Sequence, residues 1–85
     1  MKYPMYAIRD CKTTFFPPQC EQNESTAVRN FGMMIQNSDG IIGYAPNDFD
    51  LYKVGEFDSE KGTVTGKTPM LVCSGNDMVG VKIEK

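Results

Sequence analysis

The stretch Phe49-Asp50-Leu51-Tyr52-Lys53-Val54-Gly55-Glu56-Phe57, followed at once by Asp58-Ser59-Glu60-Lys61-Gly62, decides how this chain folds. Aromatic and branched apolar residues dominate its first nine positions and no proline interrupts them, so Phe49 to Phe57 reads as the longest strand. Gly55 within it implies a bulge, which lets Leu51 or Val54 and then Phe57 face one core despite imperfect alternation. Asp58 to Gly62 are turn formers ending in glycine, and Thr63 to Thr65 should therefore pair back antiparallel as a hairpin. Met70 to Cys73 is a further short strand. Ser74 to Asp77 turns the chain toward a last one at Val79 to Ile83.

Upstream of this stretch lies one helix, predicted over Glu24 to Asn37. Asn23 is a good N-cap and Glu24 places a negative charge in the first turn. Ala27, Val28, Phe31, Met34 and Ile35 recur at helical spacing and form one apolar face, leaving Met33 pointing away. Asn37, Ser38, Asp39 and Gly40 stop the helix, and Ile41 to Pro46 is an irregular crossing back to the sheet. The chain opens with a strand over Tyr3 to Asp10, a turn at Asp10 to Lys12, and a β-prone run Thr13 to Phe16 that Pro17 and Pro18 end. The order β-β-α-β-β-β is α+β: a small antiparallel sheet of four to five strands with one helix on one face, in a single domain over residues 1–85.

Composition narrows the chemistry. At 85 residues there is room for one modest core, and histidine is absent, which removes Ser-His and Cys-His nucleophile pairs and most zinc sites. Nine Lys+Arg against eleven Asp+Glu give a net charge of -2, so a nucleic-acid ligand requires a local basic patch. The longest apolar stretches fall far short of the roughly 20 residues of a membrane span, and Lys2, Pro4, Arg9 and Asp10 break up any signal-peptide core. A soluble, intracellular protein is expected. Cys11, Cys20 and Cys73 make an odd count with no CxxC pair, and they read as free thiols, with a Cys11 to Cys20 bridge as the alternative.

Asp48, Asp50, Glu56 and Asp58 could in principle hold a divalent cation by carboxylate oxygens, but they read as turn formers and edge charges. No cofactor, metal or catalytic residue is expected. For nucleic acid the candidates are Arg9, Lys12, Arg29, Lys53 and Lys67 with Tyr6, Phe15, Phe16 and Tyr52. Single strands are held in basic grooves with aromatics on which bases stack, so Tyr52 and Lys53 beside Tyr6 and Arg9 would make a platform. Alternation equally allows Tyr6 and Tyr52 to face the helix as core with a hydroxyl at the rim. The run Phe15, Phe16, Pro17, Pro18 is either a partner-binding surface or a pair of rings that close one end of the sheet or bury in a homodimer.

The opening Met5 to Pro18 (MYAIRDCKTTFFPP), the helix pattern Ala27, Arg29, Phe31, and above all Pro46 to Gly62 (PNDFDLYKVGEFDSEKG) resemble the small nonstructural protein of gokushoviruses, phages with small circular single-stranded DNA genomes. The resemblance covers roughly residues 5–62. It implies a non-enzymatic phage protein that binds DNA, single-stranded by expectation, during genome replication in the host bacterial cytoplasm. The second function it leaves open is recruitment of a host or viral replication protein. The small core and numerous aromatics add the expectation of a homo-oligomer.

Overall fold

In a computed structural model, which describes residues 1–37 and 45–78, the Phe49 stretch is an inner strand of the sheet. Strand β1 (Lys2–Asp10) runs antiparallel along one side of the strand Phe49–Asp58, and the strand Thr63–Ser74 runs antiparallel along the other. Between them in sequence come β2 (Gln19–Cys20), paired with the outer side of β1, and α1 (Glu24–Asn37). With Phe49–Asp58 as β3 and Thr63–Ser74 as β4, the strand order is β2-β1-β3-β4. Single 3-10 turns, Pro46–Asp48 and Gly75–Met78, precede β3 and follow β4. This is the expected α+β fold, with a four-stranded antiparallel sheet and one helix.

The long strand, the helix and the hairpin turn lie where the sequence puts them. Asn23 caps α1 by accepting the Thr26 amide on Oδ1 at 2.8 Å. In the hairpin, the Gly62 amide donates to the Asp58 carbonyl at 2.8 Å, with Gly62 at φ +70°. Asp58 Oδ1 accepts the amides of Glu60 and Lys61 at 2.9 and 3.3 Å, and these bonds hold its carboxyl below the usual carboxylate range. The bulge implied by Gly55 is present as a register shift between Lys53 and Gly55. A side chain at Gly55 would run into the carbonyl oxygen of Thr65 on β4, so close strand approach is what the glycine permits.

Four expectations need correction. Thr63 to Thr65 and Met70 to Cys73 are one strand, because pairing with β3 resumes at Met70 opposite Lys53 after the irregularity that follows Gly66. The Thr13 to Phe16 run is no strand: Phe15 makes a single bridge to Arg9, and the Phe16 amide donates to the Ile8 carbonyl at 2.8 Å. A turn at Asp10 to Thr14 takes up that stretch, with Asp10 Oδ1 accepting the Lys12 amide at 3.0 Å. Since Pro17 and Pro18 have no amide to donate, regular pairing with β1 begins only at Gln19. The third correction is Met34, which is 41% exposed. The buried stripe of α1 is Ala27, Phe31, Gly32 and Ile35, and at about 100° per residue Met34 falls at its margin, while Met33 is half-buried. Fourth, Tyr52 does not face the helix, as the sheet register shows below. The Val79 to Ile83 strand, the Ser38 to Gly40 stop and residues 41–44 of the crossing lie outside the described residues.

The core forms where α1 covers one face of β1 and β3. Tyr6, Ala27, Phe31, Ile35, Phe49 and Leu51 are buried together with Met78 from the last 3-10 turn. The Gln36 side-chain amide donates to the Met78 carbonyl at 3.1 Å, which ties the end of the helix to the end of β4.

Candidate nucleic-acid interface

Sheet register separates the two faces. Ile8, Leu51 and Cys73 lie side by side across three strands and pack into the helix-covered core. Their chain neighbours Ala7 and Tyr52 occupy the opposite face, because successive side chains in a strand point to opposite sides, and Leu71 joins them there because the register shift between Leu51 and Tyr52, which skips Val72, sets it opposite Tyr52. No helix covers that face among the described residues.

At one end of the uncovered face three groups converge. The Phe15 ring meets the Tyr52 ring edge-on, with centroids 5.4 Å apart at 72°. The Arg9 guanidinium carbon lies 5.8 Å from the Phe15 centroid, within cation-π reach. Lys12 is exposed in the turn that follows Arg9. Phe15 itself is 38% exposed. Asp50 sits directly opposite Arg9 on β3 and tempers the positive charge there. At the other end of the same face, Tyr3 lies opposite Phe57, and both line a shallow hollow beside Cys20 and Gln22. Tyr3 is four residues from Ala7, the partner of Tyr52, so the two aromatic positions are about 13 Å apart along the strand.

The basic and aromatic candidates therefore divide. Arg9 and Tyr52 meet Phe15, and Lys12 is exposed in the turn between Arg9 and Phe15. Lys53 pairs with Tyr6, placing both on the helix side, so the expected four-residue platform of Tyr6, Arg9, Tyr52 and Lys53 is split between faces by alternation. Arg29 is exposed on α1, and Lys67 lies 3.7 Å from Glu56. Sequence reasoning missed Tyr3 and Phe57. Only the register between β1 and β3 brings them together, and nothing local marks either ring as paired.

The Phe15 to Pro18 run straddles the sheet. Phe15 lies with Tyr52, whereas Phe16 packs on the buried Phe49 ring, centroids 5.9 Å apart, and both prolines are exposed. On the helix side, beside Phe16, opens a cavity of about 300 Å³ bounded by Tyr6, Gln19, Glu21, Asn30 and Met34. The Asn30 side-chain amide donates to both Glu21 carboxylate oxygens, at 3.2 and 3.3 Å. Burial, then the nearby Glu24 and Glu21 carboxylates, raises the pKa of the Tyr6 hydroxyl, which stays protonated.

All three cysteines are free thiols, Cys11 and Cys20 exposed and Cys73 half-buried. Cys20 pairs with Met5 and Cys11 follows Asp10, so about 16 Å of strand separates them, too far for a disulfide. Burial, aided by the Asp77, Asp50 and Glu24 carboxylates, pushes the Cys73 thiol up to about 11. We predict that a short iodoacetamide pulse at pH 8 modifies Cys11 and Cys20 and spares Cys73, because only the thiolate reacts. Mass spectrometry of native against urea-unfolded protein checks this, and equal labelling of all three in the native state would contradict it.

Among the described residues no group of three or more acidic or cysteine side chains could hold a metal ion, and no helix is long and apolar enough to cross a membrane. Asp48 is engaged otherwise, its carbonyl accepting the Cys11 amide at 2.9 Å.

No curated protein and no solved structure matches the chain. A protein-family model described as Phage ORF5 protein matches residues 3–78, the first strand through the last 3-10 turn. Since that match takes in the whole described sheet and the helix, the chain belongs to the Phage ORF5 protein family, a family of bacteriophage proteins.

Proposed function

We propose that this phage protein binds single-stranded DNA on the uncovered face of its sheet. It acts as a non-enzymatic, nonstructural factor of the gokushovirus type during genome replication in the host cytoplasm. The observation that carries this reading is the cluster of Arg9, Phe15 and Tyr52 on that face, a cation and two rings in mutual contact. Bases stack on exposed aromatics and phosphates pair with nearby cations, and Tyr3 with Phe57 offers a second stacking position further along the strand. The sequence resemblance described above supports the same reading. A net charge of -2 limits the electrostatic contribution to this local patch.

Fluorescence anisotropy with a labelled oligothymidylate at low salt tests the proposal. Micromolar or tighter binding is expected, and Tyr52→Ala should weaken it about 5- to 150-fold, the range for losing one stacked base at about 1–3 kcal/mol. Arg9→Ala should lower the salt slope by about 0.7, one phosphate contact on a single strand. Absence of binding at micromolar protein, or binding indifferent to Tyr52 and Arg9, overturns it.

Recruitment of a host or viral replication protein is the second reading, and the exposed Pro17 and Pro18 favour it. Phe16 is committed to the core and is not free to contact such a partner.

A further inference from the structure

The two edges of the sheet are unlike each other and complementary. Among the described residues strand β4 is an edge, and its residues from Thr63 to Leu71 are all exposed. It carries no acid over that length, and its one charge is Lys67. Met70, opposite Lys53 and Tyr6, projects on the helix side of the sheet and is 65% exposed. An exposed methionine of this kind, on a strand with unpaired backbone groups, is a ready template for pairing with another chain.

The opposite edge is β2, only two residues long, and beside it on the helix side lies the cavity of about 300 Å³. At the small end of the range for ligand pockets, roughly 300–1,000 Å³, it suits one or two apolar side chains. Among the described residues lining it Glu21 is the only charged one, held at the mouth by Asn30, and Glu24 adds negative charge near the same tyrosine hydroxyl. Thus an acidic apolar recess faces out from one edge, and a basic apolar strand from the other. Lys67 is held in its own chain only by a half-exposed contact of 3.7 Å with Glu56, a pair of the kind that contributes little and exchanges readily.

We propose that copies of this chain associate head to tail, with β4 of one copy lying along β2 of the next, Met70 entering the cavity and Lys67 meeting Glu21. Lys67 and Met70 are three residues apart, about 10 Å along a strand, and the irregularity between Gly66 and Met70 breaks the alternation, so that Lys67, which reaches Glu56, and Met70 both serve the helix side. The contact is heterologous: the copy that gives β4 keeps its β2 edge free and the copy that gives its cavity keeps β4 free, so association gives a ring or a chain rather than a closed pair. The uncovered faces would then lie on one side of a continuing sheet. This inference does not depend on nucleic-acid binding.

Light scattering coupled to gel filtration on the full chain, from micromolar to several hundred micromolar, tests it. The mass should rise with concentration above the 9.5 kDa of one chain. Met70→Asp on the donor edge and Met34→Asp on the cavity wall should each return the protein to a monomer. Both positions are exposed, so unchanged circular dichroism melts will show that folding is intact. Lys67→Glu should likewise abolish association, and adding Glu21→Lys to it should restore it. A monomer at every concentration overturns the proposal. So does association that Met70→Asp abolishes and Met34→Asp leaves intact, which would mean that two β4 edges pair with each other. Failure of the charge exchange to restore assembly overturns the Lys67 to Glu21 contact.

Discussion

Replacing Phe49 by alanine is expected to remove a quarter or more of the stability of this protein, about 3–5 kcal/mol. The ring is completely buried, packed among Leu51, Phe31 and Phe16 at the point where β3 begins and the crossing from α1 ends. Truncating such a ring costs about 3–5 kcal/mol, through lost transfer energy and the cavity left behind. An 85-residue domain has only about 4–13 kcal/mol in total. Urea denaturation followed by circular dichroism should therefore show either an unfolded chain or a midpoint lowered by about a quarter or more. Phe15→Ala is the comparison, because that ring is 38% exposed and lies outside the core, and its loss should cost far less. Equal effects of the two substitutions would show that Phe49 is not the centre of the core.

Gly75→Ala is expected to destabilise the fold although it removes no packed atom. Gly75 is buried where the two 3-10 turns meet, and a Cβ there would collide with the carbonyl oxygens of Pro46 and Phe49. Both obstacles are backbone, so neither can swing aside as a flexible side chain would. Forcing the methyl group in must displace the end of β4 from the start of β3, at a cost of about 1–3 kcal/mol, as for overpacked cores. At about 4–8 °C per kcal/mol for a domain of this size, the melting midpoint should fall by at least several degrees. Gly66→Ala provides the control, since nothing lies within 4 Å of a Cβ at that position. Indistinguishable melts for the two variants would refute the close approach at Gly75.

These two sites differ in how visible they are in the sequence. Phe49 heads a run whose composition alone marks it as strand and core. Gly75 reads only as part of a turn, because its role comes from Pro46, twenty-nine residues away, and no local pattern encodes that contact. The same division runs through the candidate site. Arg9 and Tyr52 were legible as a cation and a ring with binding chemistry, but the grouping proposed for them with Tyr6 and Lys53 was wrong. Side-chain alternation is a strong local rule, yet it says which residues share a face only after the register between strands is known. Register also paired Tyr3 with Phe57, and it brought Phe15 onto Tyr52 from beyond a turn.

Local physical chemistry determined much from the sequence by itself. Asn23 and the apolar spacing that follows it specify a helix, aromatic and branched residues from Phe49 specify a strand, Asp58 and Gly62 specify its turn, and the missing histidines exclude a class of chemistry. All of these depend on groups within a few residues of one another or on composition. Only the tertiary structure decided which face of the sheet the helix covers, that Met34 lines a cavity while Gly32 is buried, and that, among the described residues, an acidic recess and a basic edge lie at opposite margins of one sheet. Each of those follows from contacts between distant segments, where burial and strand pairing choose among arrangements that the local sequence permits equally.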